Sequence, residues 1–270
     1  MAIVNRTPDS FYDKGATFAA DAALRAVERA VADGADIIDI GGVKAGPGAT
    51  VDRDEEIRRV VPIIAAVRAE FPDVVISTDT WRADVGREAV AAGADLLNDT
   101  WGGWDPGLAE VAAATGAGLV CSHAGGLRPR TRPHRVAYRD VVADVIDTVT
   151  GLADRAVRLG VRRDGLLIDP AHDFGKNTRH SLELSRRLDE LVATGWPVLV
   201  ALSNKDFVGE ALDLPVDQRL EGTYAATAVA AWLGARVFRA HQVRQTRRVL
   251  DMVSAIRGDR PPRVARRGLA

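Results

Sequence analysis

The amino-acid sequence predicts a closed (β/α)8 barrel, the TIM-barrel architecture of the α/β class. Three observations predict it. Eight short, β-rich apolar runs recur along the 270 residues. Each is followed by a polar or glycine-rich turn and then by a segment of helical period. Small-residue elbows built on glycine precede several of the runs, at 33–36, 92–95, 115–118 and 233–236, where a helix must stop before a strand begins. An open, doubly wound sheet is the other arrangement of the same units.

The apolar runs lie at 2–4, 37–40, 74–77, 96–98, 119–121, 166–168, 198–201 and 237–239. They are nearly all apolar rather than alternating, as strands covered on both faces must be. Helical period marks 21–33, 54–70, 83–92, 106–115, 139–159, 181–194, 222–233 and 243–256. In the first of these Ala22, Leu24, Ala26, Val27, Ala30 and Val31 are apolar, with Arg25, Glu28 and Arg29 between them. One barrel domain is expected over 1–257. Residues 258–270 are rich in proline and arginine without periodicity and are expected to form a basic, flexible tail.

Charge and composition narrow the partners. Lys+Arg number 36 and Asp+Glu 37, so no strong field points to nucleic acid or membrane. The single cysteine, Cys121, excludes an intrachain disulfide and fits a reducing compartment. It ends an apolar run, which makes it a core residue rather than a nucleophile. No apolar run nears the ~18–20 residues of a membrane helix. The first residues lack the basic start and long apolar stretch of a secretory signal. A soluble cytoplasmic protein is expected.

In a (β/α)8 barrel the chemistry sits at the C-terminal ends of the strands. The first strand runs into Asn5, Thr7 and Asp9, oxygen ligands suited to a magnesium ion and a diphosphate, although Pro8-Asp9-Ser10 is also good turn chemistry. The second delivers Asp39 and then a loop with Gly41, Gly42, Gly46, Pro47 and Gly48. The third delivers Asp79 and the fourth Asn98 and Asp99. Buried Asp and Asn can answer the N–H donors and the carbonyl along the edge of an aminopyrimidinone ring. The fifth leads to His123 and a loop with Arg128, Arg130 and Arg132, expected to be solvated. The sixth ends in Asp169, whose carboxylate can accept two N–H bonds from an amino-pyrimidine edge, with Phe174 placed to cover a flat ring. The seventh delivers Ser203, Asn204 and Lys205, a cation suited to an anion or a ring carbonyl. The eighth delivers Arg239 and His241, two residues apart and so on one face, an arrangement suited to diphosphate.

Taken in strand order, these motifs resemble those of the dihydropteroate synthases, folate-pathway enzymes that join a pterin to 4-aminobenzoate. The resemblance covers Asn5 to about Val243. It rests on Asn5-x-Thr7-x-Asp9-Ser10-Phe11, Asp79-Thr80, Asn98-Asp99, Asp169-Pro170, Phe174-Gly175-Lys176, Ser203-x-Lys205 and Arg239-x-His241. It implies pterin binding by Asp79, Asn98, Asp169, Lys205 and Phe174, diphosphate contacts from Asn5, Arg239 and His241, and magnesium at Asn5. Ser203 and Pro47 would meet the second substrate, and Lys205, Arg239 and His241 would carry catalysis. The implied reaction condenses 6-hydroxymethyl-7,8-dihydropterin diphosphate with 4-aminobenzoate or a related arylamine and releases diphosphate, with cationic groups stabilising the leaving anion. A homodimer is also implied, since such proteins often pair through their last helices.

The departures from the family pattern gather in the second-substrate half. After Gly41-Gly42 the family carries an acidic residue, two hydroxyl residues and an arginine before Pro-Gly. This chain has Val43-Lys44-Ala45-Gly46 before Pro47-Gly48, with Ala45 for the threonine and Gly46 for the arginine. Asn204 stands for the arginine after Ser203, Ala171-His172-Asp173 where glycine and apolar residues are usual, and Gln242 for the aspartate after His241. Two readings follow. One is a dihydropteroate synthase, weak or altered in its amine. The other is a paralogue that binds a pterin or folate without turnover. A methyltransferase of the pterin-barrel type fits less well, having no use for the Arg239-x-His241 pair.

Overall fold

Eight parallel strands close into a barrel in the computed structural model, which describes residues 1–7, 20–131 and 137–268. The strands are β1 (Ala2–Asn5), β2 (Ile37–Gly41), β3 (Val75–Asp79), β4 (Leu96–Asp99), β5 (Gly118–Ser122), β6 (Leu166–Asp169), β7 (Leu199–Val200) and β8 (Val237–Phe238). β1 to β6 form one sheet in sequence order and β7 pairs with β8. Parallel bridges join the two sheets at both seams, Ile168 to Val198 and Ala2 to Ala240. The backbone bonds Ile168 N–H to Pro197 O (3.0 Å) and Ala240 N–H to Met1 O (3.0 Å) complete the closure. Each strand falls at its expected apolar run, and a barrel rather than an open sheet results because neither edge is left unpaired.

The helices are α1 (Ala20–Ala32), α2 (Arg53–Glu70), α3 (Ala83–Ala91), α4 (Gly107–Thr115), α5 (Val141–Leu159), α6 (Thr178–Arg186), α7 (Leu188–Val192), α8 (Asp206–Leu212), α9 (Leu220–Trp232) and α10 (Val243–Arg257). Two points depart from expectation. The single helix expected over 181–194 is broken at Arg187, whose backbone (φ −108°, ψ 29°) leaves the helical region. The short α8 after β7 carries no amphipathic period long enough to be read.

Strand alternation divides the core in two. Outward residues such as Val4, Ile38, Ile76, Leu97, Cys121, Ile168 and Phe238 pack against the helices. Inward residues Leu96, Val120, Leu167, Leu199 and Val237, with Met1, fill the barrel itself. Two residues further along the same inward face stand Asn98, Asp169 and Arg239. Polar groups at the mouth are therefore carried directly above an apolar plug.

Loop contacts fix the mouth further. Gly42 lets the turn after β2 lie on α2, since a Cβ there would come within 2.9 Å of Val60 Cγ1. Arg130 is not a solvated loop residue: it donates to Ala49 O (2.7 Å) and Gly46 O (3.4 Å), joining the loop after β5 to the loop after β2. Beyond α10, Arg260 and Arg263 both pair with Asp251 (2.5 and 2.8 Å).

Candidate active site

The inward faces of β2, β3, β4 and β8 converge on one charged cluster. Arg239 Nε donates to Asp39 Oδ2 (2.6 Å) and its Nη2 to Asp79 Oδ2 (3.0 Å). Ser77 Oγ donates to Asp39 Oδ1 (2.6 Å), and Asn98 Nδ2 reaches both Asp39 oxygens (3.3 and 3.2 Å). Thr100 Oγ1 donates to Asp79 Oδ1 (3.2 Å). Asp39 is fully buried and carries three of these neighbours. Sequence reasoning placed it at the mouth but assigned it no role; its position in mid-strand hid its function as the hub.

Removal from water lifts the Asp79 carboxyl from 3.8 to about 7, opposed by Arg239 and reinforced by Asp39. His241 is pushed down to about 3, first by burial and then by Arg239. It is therefore a neutral imidazole and offers an anion hydrogen bonding rather than charge. Its backbone N–H donates to Ser203 Oγ (3.3 Å).

A second group comes from the loops after β6 and β7. Asp169 Oδ1 accepts the Ala171 N–H (2.7 Å), and burial raises the Asp169 pKa, opposed chiefly by Lys205. Lys205 Nζ donates to His172 O and stands 4.8 Å from the centre of the Phe174 ring. Burial lowers the Lys205 pKa against the pull of Asp173 and Asp169. Phe174 in turn meets Trp101 edge to face at 5.2 Å. Trp101, from the loop after β4, is a rim residue that sequence reasoning left out. Arg239 is acted on by Asp169 as well as by its two bonded carboxylates, so both groups face one centre.

Three neighbours of the motifs serve as framework. Asp99 faces outward and accepts the Trp101 and Gly103 N–H groups (3.0 and 2.7 Å), forming the turn that places Trp101. Lys176 is buried and donates to His123 O (2.9 Å), Phe174 O (2.7 Å) and Ala171 O (3.1 Å), with His123 Nδ1 at 2.8 Å. Its pKa falls to about 7 because burial outweighs the nearby carboxylates. His123 Nε2 meets Asp144 Oδ1 at 2.7 Å, directed away from the mouth.

Among the buried polar atoms with no protein partner, Asn98 Oδ1 and Ser122 Oγ lie on the inward faces of β4 and β5, while Thr7 Oγ1, His172 Nδ1 and both side-chain amide atoms of Asn204 lie beyond β1, β6 and β7. Orphaned acceptors and donors beside a ring-sized aromatic wall are what a polar heterocycle would satisfy. In the second-substrate half, Ser203 Oγ donates to Gln242 Oε1 (3.2 Å) and is engaged within the protein. Pro47 is exposed on the loop after β2. Asn5 ends β1 at the mouth. Asp9, Ser10 and Arg132 lie outside the described residues.

Comparison with known proteins gives a consistent result. A family model described as pterin binding enzyme matches residues 1–241. The chain is 64% identical to a Mycobacterium leprae protein named inactive dihydropteroate synthase 2, covering 100% of this chain and 94% of that one. It is 39% identical to the dihydropteroate synthase of Haemophilus influenzae, covering 94% of this chain and 92% of that one. The crystal structure of Yersinia pestis dihydropteroate synthase in a sulfonamide drug complex superposes with a TM-score of 0.90 at 38% identity, covering 96% of this chain and 94% of that one.

Proposed function

The chain belongs to the dihydropteroate synthase family of pterin-binding enzymes, and from that premise we propose that it binds a pterin at the barrel mouth without dihydropteroate synthase turnover. One observation carries this reading. The residues that would hold a pterin, Asp79, Asn98, Asp169, Lys205 and Phe174, are all present, while Ser203 is engaged by Gln242 and the loop after β2 has Ala45 and Gly46 in place of the family's hydroxyl and guanidinium. The Mycobacterium leprae relative named inactive supports the same direction.

In this reading Asp169 accepts N–H bonds from the amino-pyrimidine edge, with Asn98 Oδ1 as the second acceptor. Lys205 leaves His172 O for the ring carbonyl, and Phe174 and Trp101 cover one ring face. Arg239 is held by two carboxylates, so an incoming diphosphate meets a cation already neutralised. Lys205, Arg239 and His241 are all retained, which favours a second reading of residual transferase activity with 4-aminobenzoate or another arylamine.

Among the described residues no group of three His, Cys, Asp or Glu could hold a metal ion. Asn5 supplies at most one amide oxygen where a hard cation takes six, so magnesium at this site would rely on diphosphate oxygens for most of its ligands.

We further propose a cytoplasmic location, a reducing compartment that suits a chain with a single buried cysteine, Cys121. A homodimer fits the exposed apolar side chains Val229 and Trp232 of α9 and Met252 and Ile256 of α10, since these two helices pack together. No described helix is long and apolar enough to cross a membrane.

Calorimetry with the dihydropterin diphosphate, paired with a product assay in the presence of magnesium and 4-aminobenzoate, tests the reading. Pterin binding without dihydropteroate formation above the uncatalysed rate is expected. Steady turnover overturns the proposal in favour of the second reading, and absence of pterin binding overturns both.

A further inference from the structure

The loop after β6 turns through three residues with positive φ: Ala171 (+49°), Asp173 (+69°) and Gly175 (+62°). Left-handed backbone is natural for glycine and costs an ordinary residue free energy. Asp is better tolerated there than most, but its side chain must still be accommodated. At position 173 it is fully used. Asp173 Oδ1 accepts the Ser181 Oγ–H of α6 (3.0 Å), and Oδ2 accepts the Phe207 N–H in the first turn of α8 (3.2 Å). The Asp173 N–H in turn donates to Ser181 Oγ (3.1 Å). One side chain thus ties the β6 loop to two helices.

The second of these ties bears on the mouth. Lys205 immediately precedes α8, and its N–H and O are bonded into the same turn, to Leu202 O (3.3 Å) and from the Val208 N–H (3.2 Å). Fixing the Phe207 N–H on the β6 loop therefore fixes the backbone that launches Lys205 toward His172 O and Phe174, residues of that same loop.

We propose that Asp173 is a positioning residue for Lys205: its carboxylate latches the β6–α6 loop to the start of α8 and so sets the place and charge environment of the amine. The assignment rests on the pterin-site reading only for its effect on binding. The charged groups acting on the Lys205 amine are Asp173, Asp169 and Lys176 from the β6 side, Asp206 beside it and Arg239 across the mouth. Of these Asp173 makes the largest opposite-charge contribution, so its removal shifts the amine toward the neutral form.

The chain has only four lysines, Lys14, Lys44, Lys176 and Lys205, which makes a residue-resolved test clean. Trace acetylation with acetic anhydride across a pH series, read by mass spectrometry, reports the titration of each amine. Asp173→Asn keeps size and left-handed tolerance while removing charge; Ser181→Ala keeps the charge while cutting one tie. In Asp173→Asn the acetylation of Lys205 at neutral pH rises relative to Lys44, and pterin affinity falls about tenfold, the equivalent of one charge-assisted hydrogen bond. In Ser181→Ala the Lys205 titration stays near that of the unaltered protein and pterin affinity falls less. An unchanged Lys205 titration in Asp173→Asn, with native circular dichroism, overturns the proposal even if no pterin binds. A protein that shows the titration shift but binds no pterin retains the positioning role and rejects the pterin-site reading instead.

Discussion

Arg239 Nε lies 2.6 Å from Asp39 Oδ2 while its Nη2 lies 3.0 Å from Asp79 Oδ2, so a single guanidinium bridges the second and third strands from the eighth. Because β8 and β2 both flank β1, this bond also spans the seam where the barrel closes. Asp39→Ala leaves Arg239 with one partner and opens a hole at the hub. Removing one member of a buried pair costs about 3–5 kcal/mol, read here as a fall in the urea midpoint. The Asp39→Ala, Arg239→Met double variant is expected to lose less than the sum of the two singles.

The pH dependence of stability has a definite sign at Asp79. Its carboxyl sits at about 7 in the folded protein against 3.8 in the free residue. Between those values the folded state keeps a proton that the unfolded chain has released. The contribution is therefore complete at low pH and is lost as pH rises through about 7. Asp79→Asn removes this titration, and the stability profile measured by urea unfolding flattens over that window.

The loop after β2 is held by Arg130 through Gly46 O and Ala49 O. Restoring the family residues by Ala45→Thr and Gly46→Arg sets a new arginine beside that contact. Arg130→Ala is expected to be needed alongside them. The triple variant, saturated with pterin, gains 4-aminobenzoate affinity of about 2 kcal/mol, on the order of one charge-assisted bond with a neutral one less its ordering cost. Isothermal calorimetry reads the gain.

Trp232 is 55% exposed on α9 and Met252 and Ile256 are each 60% exposed on α10. Trp232→Glu sets a charge into this face. Sedimentation velocity is expected to show a dimer for the unaltered protein and a monomer for the variant at the same concentration.

Much of this architecture is legible in the sequence because parallel strands sheathed on both sides announce themselves as apolar runs. The mouth is legible for the same reason: Asp79, Asn98, Asp169 and Arg239 each stand at or just beyond the end of such a run. What stays hidden depends on contacts between distant segments. α8 is seven residues long, too short for a period to emerge from its sequence. The break at Arg187 is likewise hidden: the residue bonds Glu183 on α6, Glu190 on α7 and the distant Asp140 at the cap of α5, and the last of these contacts is a property of the fold. Asp173 is visible in the sequence as an unusual residue, but its tie to Phe207 across 34 positions is a property of the fold.

The most direct measurement is a crystal soaked with pterin diphosphate and 4-aminobenzoate together, scored by which half-sites fill. Density for the pterin between Asn98, Asp169 and Lys205, with no arylamine beside Ser203 and Pro47, is the predicted result. A fully occupied arylamine site, or a pterin bound away from Asp169, contradicts it.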